Sequence, residues 1–170
     1  MKNPILIGFM GAGKTTVGTT LAKVLGQPFY DLDDAIEKHL GQSIPSYFNE
    51  KGESAFRQVE KELLARHLST DNVLATGGGT ACQVVNQALL RADKRPVVWL
   101  QASDKTTLEN LSAEDWQKRP ILADKTAEDL SKLKASREVF YRKTADIIVN
   151  VDQKTPETIA EEIIDRLQNA

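Results

Sequence analysis

The sequence has few of the features that mark secreted, membrane-bound or nucleic-acid-binding proteins. A single cysteine, Cys82, cannot form an internal disulfide, which is typical of proteins in a reducing compartment. No apolar run approaches the roughly 20 residues that a membrane-spanning helix needs. The net charge of −2 provides no basic surplus that would attract nucleic acid or an anionic membrane surface. We therefore expect a cytoplasmic protein whose partners include neither nucleic acid nor a membrane.

Internal repeats and low-complexity linkers are also lacking. The hydrophobic share of 41% and the charged share of 27% are ordinary for a globular protein, and 170 residues suit one domain, 1–170. The chain begins with a short apolar segment that leads into glycines rather than a small-residue cleavage site, so we expect a strand and not a signal peptide. No unused apolar helix face demands a partner, and we expect a monomer.

Apolar runs alternate with segments of helical periodicity from end to end. Five short runs are predicted to be strands, at residues 5–7, 29–33, 73–75, 97–100 and 147–149. Strands that alternate with helices favour an α/β fold in which a parallel sheet carries helices on both faces. Residues 111–126 break the pattern, because they are polar and have no clear period, and long segments of this kind are often lids. The sequence therefore predicts one three-layer α/β/α domain with a lid at about 111–126.

The loop after the first predicted strand carries the clearest chemical motif. Residues 8–15 read GFMGAGKT and match the phosphate-binding pattern G-x-x-x-x-G-K-[ST], between an apolar strand and an amphipathic helix. The glycines let successive N–H groups face phosphate oxygens, and the helix amino terminus adds positive potential. Lys14 would reach the terminal phosphates and the Thr15 hydroxyl would ligate Mg²⁺. The predicted nucleotide contacts are Gly11, Ala12, Gly13, Lys14, Thr15 and Thr16.

Two carboxylates end the second predicted strand. On an extended strand, Asp31 and Asp33 face one side while Leu32 faces the other. Ligands of open α/β sheets sit beyond the carboxyl ends of the strands. One acid would hold the water shell of Mg²⁺ and the other would accept or orient a hydroxyl proton. The alternative is that Asp33 or Asp34 caps the next helix.

Three glycines, Gly77–Gly79, follow the third predicted strand. Glycine costs backbone entropy and packs nothing, so three together indicate that a ligand or another chain segment approaches closely. Their N–H groups could bind a carboxylate, or the glycines could form a tight turn alone.

Three arginines are candidate anion ligands. Arg137 lies on the apolar stripe of a predicted helix, four residues after Leu133, and a core-facing guanidinium needs an anion or a structural partner. Arg57 borders another stripe and either binds a ligand or pairs with Glu60 at i+3. Arg119, in the predicted lid, either stabilises the transferring phosphoryl group on closure or is a solvated loop residue.

Taken as a set, the motifs resemble those of the shikimate kinase family over the whole chain. The motifs that occur in the family's order and spacing are the phosphate loop, Asp31-x-Asp33, Gly52-Glu53, Phe56-Arg57 with Glu60, Gly77–Gly79, Arg119-Pro120 and Tyr141-Arg142.

The resemblance implies a P-loop kinase fold with strand order 2-3-1-4-5, a moving lid and a substrate-binding region at about 33–60. It also implies the transfer of a phosphoryl group from ATP to the 3-hydroxyl of shikimate, on the route to chorismate and the aromatic amino acids. Mg²⁺ would be the cofactor, with Thr15 as a direct ligand and Asp31 acting through water.

The family's other roles carry over by position. Asp33 would hold the ring hydroxyls of shikimate and assist deprotonation, and Arg119 would reach the phosphates from the lid. Gln153, after the last strand, would contact adenine. The shikimate carboxylate would bind to Arg57, Arg137 and the backbone of Gly78 and Gly79.

Two other functions compete with this interpretation. A gluconate kinase also binds a substrate with a carboxylate and hydroxyls, so two arginines alone do not discriminate. A nucleotide-dependent switch of the GTPase type should carry N-K-x-D for guanine selection, and that tetrapeptide does not occur in the sequence.

Overall fold

A single parallel sheet organises the fold. The computed structural model describes residues 1–111 and 125–170, and within these ranges five strands form one sheet. The strands are β1 (Ile5–Ile7), β2 (Phe29–Asp31), β3 (Val73–Ala75), β4 (Val97–Gln101) and β5 (Ile147–Asn150). All neighbouring strands are parallel, in the order β2-β3-β1-β4-β5. The predicted α/β class and strand order are confirmed.

Seven α-helices connect and cover the strands in the described part of the chain. They are α1 (Lys14–Leu25), α2 (Leu32–Leu40), α3 (Ile44–Leu68), α4 (Val84–Ala92), α5 (Asp104–Asn110), α6 (Ala127–Thr144) and α7 (Pro156–Gln168). A short 3₁₀ helix, Thr80–Cys82, precedes α4, and α3 is interrupted at Gly52, where φ is 85°. No helix of the described residues is long and apolar enough to cross a membrane.

The sheet has a hydrophobic core on each face, because side chains alternate along every strand. Ile5 and Ile7 of β1 pack into a cluster that includes residues of α2, α3, α4 and α6. Leu6 faces the opposite side and packs with residues of α1 and α7. The three-layer arrangement therefore follows directly from the period of two in short, fully buried strands.

The predicted second strand ends two residues too late. β2 stops at Asp31, and Leu32 is already the first residue of α2. The Asp31 carboxylate accepts a hydrogen bond from the backbone N–H of Asp34 at 3.2 Å, so Asp31 caps α2. The prediction that Asp31 and Asp33 share one face of a strand is therefore wrong, and the cap is Asp31 rather than Asp33 or Asp34.

One helix, α5, has no counterpart among the sequence-based predictions. It has seven residues, of which Leu108 is the one large apolar side chain, so no hydrophobic period could indicate it. Its amino terminus is capped by the Ser103 hydroxyl, which accepts from the backbone N–H of Thr106 at 3.2 Å. The predicted lid, with Arg119 and Pro120, falls largely on residues 112–124, which lie outside the described residues.

At Gly18, α1 packs directly against a side chain of the sheet. A Cβ atom at this position would lie 2.3 Å from the Phe29 ring of β2. Gly18→Ala should therefore lower the free energy of unfolding by about 1–3 kcal/mol through overpacking. The loss should exceed the gain of about 1 kcal/mol in helix propensity.

Chemical denaturation of the wild type, Gly18→Ala and Val24→Ala would check this expectation. Val24 lies on the same helix and is 64% exposed, so its substitution should change the free energy of unfolding by less than about 0.5 kcal/mol. Wild-type stability in Gly18→Ala would contradict the packing argument.

Candidate active site

A cavity of about 620 Å³ opens at the edge where the parallel strands end. Residues at or just after the carboxyl end of each of the five strands contribute to its lining. The predicted site residues that line it are Gly11, Ala12, Gly13, Lys14, Thr15, Thr16, Asp31, Asp33, Gly78 and Gln153. Arg57, Gly79 and Arg137 are not among the described lining residues. Gly79 directly follows Gly77 and Gly78, which do line the cavity, and both arginines contact this glycine segment.

The phosphate-binding loop is shaped by close contact with α5. Gly11 has φ of 80°, and a Cβ atom there would lie 2.8 Å from the carbonyl oxygen of Thr107, so glycine is required. The side-chain amide of Asn110 donates to the carbonyl oxygen of Gly11 at 2.8 Å. The Lys14 ammonium donates to the carbonyl oxygens of Gly8 and Phe9 at 2.6 and 2.9 Å. The loop is therefore braced by both its own lysine and the end of α5.

Thr15 and Asp31 form a pair of hard oxygen donors beside this loop. The Thr15 hydroxyl donates to the Asp31 carboxylate at 2.6 Å, and both residues line the cavity. The described residues contain no group of three or more His, Cys, Asp or Glu side chains that could hold a metal ion. The pair suits Mg²⁺, which takes one or two protein oxygens and completes its shell with water and phosphate.

Asp33 reaches the cavity from the first turn of α2 rather than from a strand. A Cβ atom built on Gly77 would lie 2.7 Å from Oδ1 of Asp33, so the carboxylate is seated directly against the glycine segment. Although the strand argument for it was wrong, Asp31 and Asp33 do line the same cavity. Because Asp31 caps α2, the helix begins at Leu32, and Asp33 lies in its first turn, where it lines the cavity.

Both candidate arginines of the core converge on the other two glycines. A Cβ atom on Gly78 would lie 3.2 Å from Nη1 of Arg137, and one on Gly79 would lie 2.6 Å from Nη2 of Arg57. The three glycines thus accommodate three charged side chains from α2, α3 and α6. Any larger residue in this segment would displace one of them.

Arg57 is held by a buried carboxylate that the sequence did not single out as a site residue. Glu60, 1% exposed, accepts from Nη1 of Arg57 at 2.9 Å, from the Thr80 hydroxyl at 2.9 Å and from the Asn86 amide at 3.3 Å. The i+3 pair with Glu60, which the sequence offered as the alternative to a ligand role for Arg57, is therefore present. Helical periodicity could have indicated that Glu60 is buried, because it falls four residues after buried Phe56 and three before buried Leu63.

Arg137 is buried in the described structure without an acidic partner. It is 9% exposed, and among residues 1–111 and 125–170 no carboxylate forms an ion pair with it. Its guanidinium lies 5.8 Å from the centre of the Phe9 ring. The predicted placement on the buried stripe of its helix is confirmed, and a buried guanidinium of this kind is suited to bind an anion.

At the opposite end of the cavity, the loop after β5 faces α5. Gln153 lines the cavity with φ of 57°, a left-handed conformation that is uncommon for residues other than glycine. Its neighbour Asp152 accepts from the backbone N–H of Ser103 at 3.0 Å, and this hydrogen bond holds the pKa of Asp152 below its ordinary value. The two loops are therefore joined at the part of the cavity farthest along the sheet from Asp33.

The fold and the loop chemistry define a class of protein. A parallel sheet in the order β2-β3-β1-β4-β5, a Gly-Lys-Thr loop at the amino end of α1 and an acid facing Thr15 together define a P-loop kinase. An adjacent compartment with Asp33 against Gly77 and two arginines against Gly78 and Gly79 is suited to a small acidic acceptor.

Comparison with known proteins identifies the family. A family model described as shikimate kinase matches residues 10–168. The shikimate kinase of Pseudomonas syringae pv. syringae is 44% identical over 98% of this chain and 96% of its own, and that of Enterococcus faecalis is 37% identical over 99% of both. The structure of shikimate kinase from Acinetobacter baumannii in complex with shikimate has a TM-score of 0.94 and 34% identity, covering 99% of this chain and 94% of that one. The chain therefore belongs to the shikimate kinase family and is an ATP-dependent kinase.

The hydrogen bonds to Glu60 should contribute measurably to the free energy of unfolding. Glu60→Ala should lower the free energy of unfolding by about 3 kcal/mol, because it leaves Arg57, Thr80 and Asn86 without their shared acceptor. Glu62→Ala is the matched control, since Glu62 is exposed on the same helix and accepts from Gln58 at 2.9 Å. That substitution should cost about 0.5 kcal/mol or less.

Urea or guanidinium unfolding of both variants provides the measurement. Equal stability losses in the two would show that Glu60 contributes no more than an exposed surface acid.

Proposed function

We propose that the chain transfers the γ-phosphoryl group of ATP to the 3-hydroxyl of shikimate and releases shikimate 3-phosphate and ADP. The observation that carries the proposal is the seating of Asp33, Arg137 and Arg57 against three consecutive glycines, next to the phosphate-binding loop. Shikimate offers one carboxylate and ring hydroxyls, which matches two guanidinium groups and one carboxylate. In the cell this step contributes to the synthesis of chorismate and the aromatic amino acids.

The nucleotide side of the reaction rests on the loop of residues 8–15. Gly11, Ala12 and Gly13 present backbone N–H groups to the phosphates, as does the start of α1 at Thr15 and Thr16. Lys14 exchanges its bonds to the carbonyl oxygens of its own loop for bonds to the β- and γ-phosphates. Gln153 and the loop after β5 line the side of the cavity formed with α5 and would contact the base.

Thr15 and Asp31 would hold the Mg²⁺ that accompanies ATP. The Thr15 hydroxyl, which donates to the Asp31 carboxylate at 2.6 Å, would supply the direct ligand, and Asp31 would act through a water molecule. The ion, when bound, neutralises charge on the β- and γ-phosphates.

On the acceptor side, Asp33 orients the 3-hydroxyl toward the γ-phosphorus and takes its proton as the new bond forms. The bond from the γ-phosphorus to the β,γ-bridging oxygen breaks, and ADP leaves with that oxygen. Arg57 and Arg137, with the N–H groups of Gly78 and Gly79, bind the shikimate carboxylate. Because phosphoryl transfer has a loose transition state, such positioning contributes more than a strong base would.

The remaining assignments depend on the family resemblance. Arg119 would approach the phosphates from the lid at about 111–126 and stabilise the transferring group, while closure excludes water. The region at about 33–60, which forms α2 and the first part of α3, would bind shikimate. A cytoplasmic monomer consisting of one domain, 1–170, with Mg²⁺ as cofactor, completes the proposal.

The proposal is tested by the release of ADP from MgATP with shikimate, gluconate, AMP or no acceptor. We expect shikimate alone to raise turnover strongly, and removal of Mg²⁺ with a chelator to abolish it. Stimulation by gluconate or AMP in place of shikimate would refute the acceptor assignment and retain only the nucleotide site. Nucleotide binding without stimulation by any acceptor would favour a switch protein.

Arg137→Ala should raise the KM for shikimate about 10- to 100-fold, because a charge-assisted hydrogen bond contributes about 1.5–3 kcal/mol. The KM for ATP should change little. Arg142→Ala is the matched control, since Arg142 lies on the same helix, is exposed and stacks on Trp99 instead. Steady-state kinetics with each substrate varied in turn provides the measurement, and an unchanged KM for shikimate in Arg137→Ala would remove this residue from the site.

A further inference from the structure

Tyr141 is a buried polar residue that the proposed reaction does not yet use. It is fully buried on α6, and its ring lies 5.7 Å from that of Trp99. Its hydroxyl donates to the carbonyl oxygen of Gly78 at 2.5 Å. A buried tyrosine hydroxyl needs a partner, and here it interacts with the backbone of the segment that lines the site and with the nearby Arg137 guanidinium.

The donor is permanent over the physiological pH range. Burial raises the pKa of Tyr141 well above its ordinary value, so the phenol keeps its proton. The Cys82 thiol, 4.0 Å from the same carbonyl oxygen, is a much weaker donor. Tyr141 is therefore the stronger of the two side-chain donors to the Gly78 carbonyl oxygen.

The direction of that carbonyl group decides where the next N–H points. In a trans peptide unit, the C=O of Gly78 and the N–H of Gly79 point in opposite directions. Glycine on both sides of the unit lets it rotate at little steric cost, because both residues tolerate φ of either sign. In the part of the chain that the structure describes, no acceptor is hydrogen-bonded to the N–H of Gly78 or of Gly79. Neither N–H is therefore used by the fold itself, and Gly78 lines the cavity.

We propose that Tyr141 is a positioning residue, whose hydroxyl holds the Gly78–Gly79 peptide unit in the orientation that presents the N–H of Gly79 to the acceptor carboxylate. Arg137 lies one turn earlier on the same helix and contacts the same segment, so α6 controls both the charge and the backbone donor of the carboxylate site. The inference rests on the proposed function, because it assumes that the anion bound there is the carboxylate of shikimate.

Tyr141→Phe removes the hydroxyl and keeps the ring that packs on Trp99. Titration calorimetry would measure the Kd of wild type and variant for shikimate, for its uncharged carboxamide analogue and for MgADP. We expect the Kd for shikimate to rise about 5- to 20-fold, the Kd for the carboxamide to rise less, and the Kd for MgADP to stay unchanged. Tyr30→Phe, a half-exposed tyrosine that packs on His67, is the matched control and should change none of the three.

The outcomes separate this inference from the proposed function. If the wild type does not bind shikimate, the proposed function fails and the inference with it. If the wild type binds shikimate and Tyr141→Phe binds it equally well, the inference alone is overturned. Equal losses for shikimate and the carboxamide, or for shikimate and MgADP, would assign Tyr141 a general packing role and would also overturn it.

Discussion

The absence of side chains at Gly77–Gly79 is the constraint on which the candidate site depends. A charged group from a different helix lies within 2.6–3.2 Å of the place where a Cβ would be at each of the three positions: the carboxylate of Asp33, the guanidinium of Arg137 and the guanidinium of Arg57. Since β3 lies beside β1 in the sheet, this segment ends next to the phosphate-binding loop. The glycines therefore bring an acceptor compartment of mixed charge into the same cavity as the nucleotide loop.

The residues around this segment are held by polar contacts rather than by apolar packing alone. Glu60 accepts hydrogen bonds from Arg57, Thr80 and Asn86, whereas no acidic side chain of the described residues pairs with Arg137. The Arg57 guanidinium is thus oriented by a carboxylate of the protein, whereas the Arg137 guanidinium has no such ion pair and can form one with a ligand. On the nucleotide side, Asn110 and Lys14 brace the loop in the same way. This arrangement suits phosphoryl transfer, in which catalysis comes mainly from holding the two reactants in line.

Most of the fold could be predicted from hydrophobic periodicity, because four largely buried strands and the more exposed edge strand β2 alternate with helices that have clear stripes and caps. Periodicity also located Arg137, since a cation on an apolar stripe is conspicuous. Periodicity failed where hydrogen bonds between residues close in sequence determine where a strand ends or a helix begins. The Asp31 cap ends β2 early, and the Ser103 cap starts α5 without any apolar period. Glu60 and Tyr141 were visible as polar groups on buried stripes, but their partners lie 20 and 63 residues away in sequence and required the tertiary structure.

The central claim is that the glycine segment places the acceptor carboxylate between Arg57 and Arg137, with the reacting hydroxyl at Asp33. A crystal structure of the ternary complex with MgADP and shikimate tests it most directly. The account predicts the carboxylate within hydrogen-bond distance of both guanidinium groups and the 3-hydroxyl within hydrogen-bond distance of the Asp33 carboxylate. Shikimate bound with its carboxylate away from Gly78 and Gly79, or with its 3-hydroxyl away from Asp33, would contradict it.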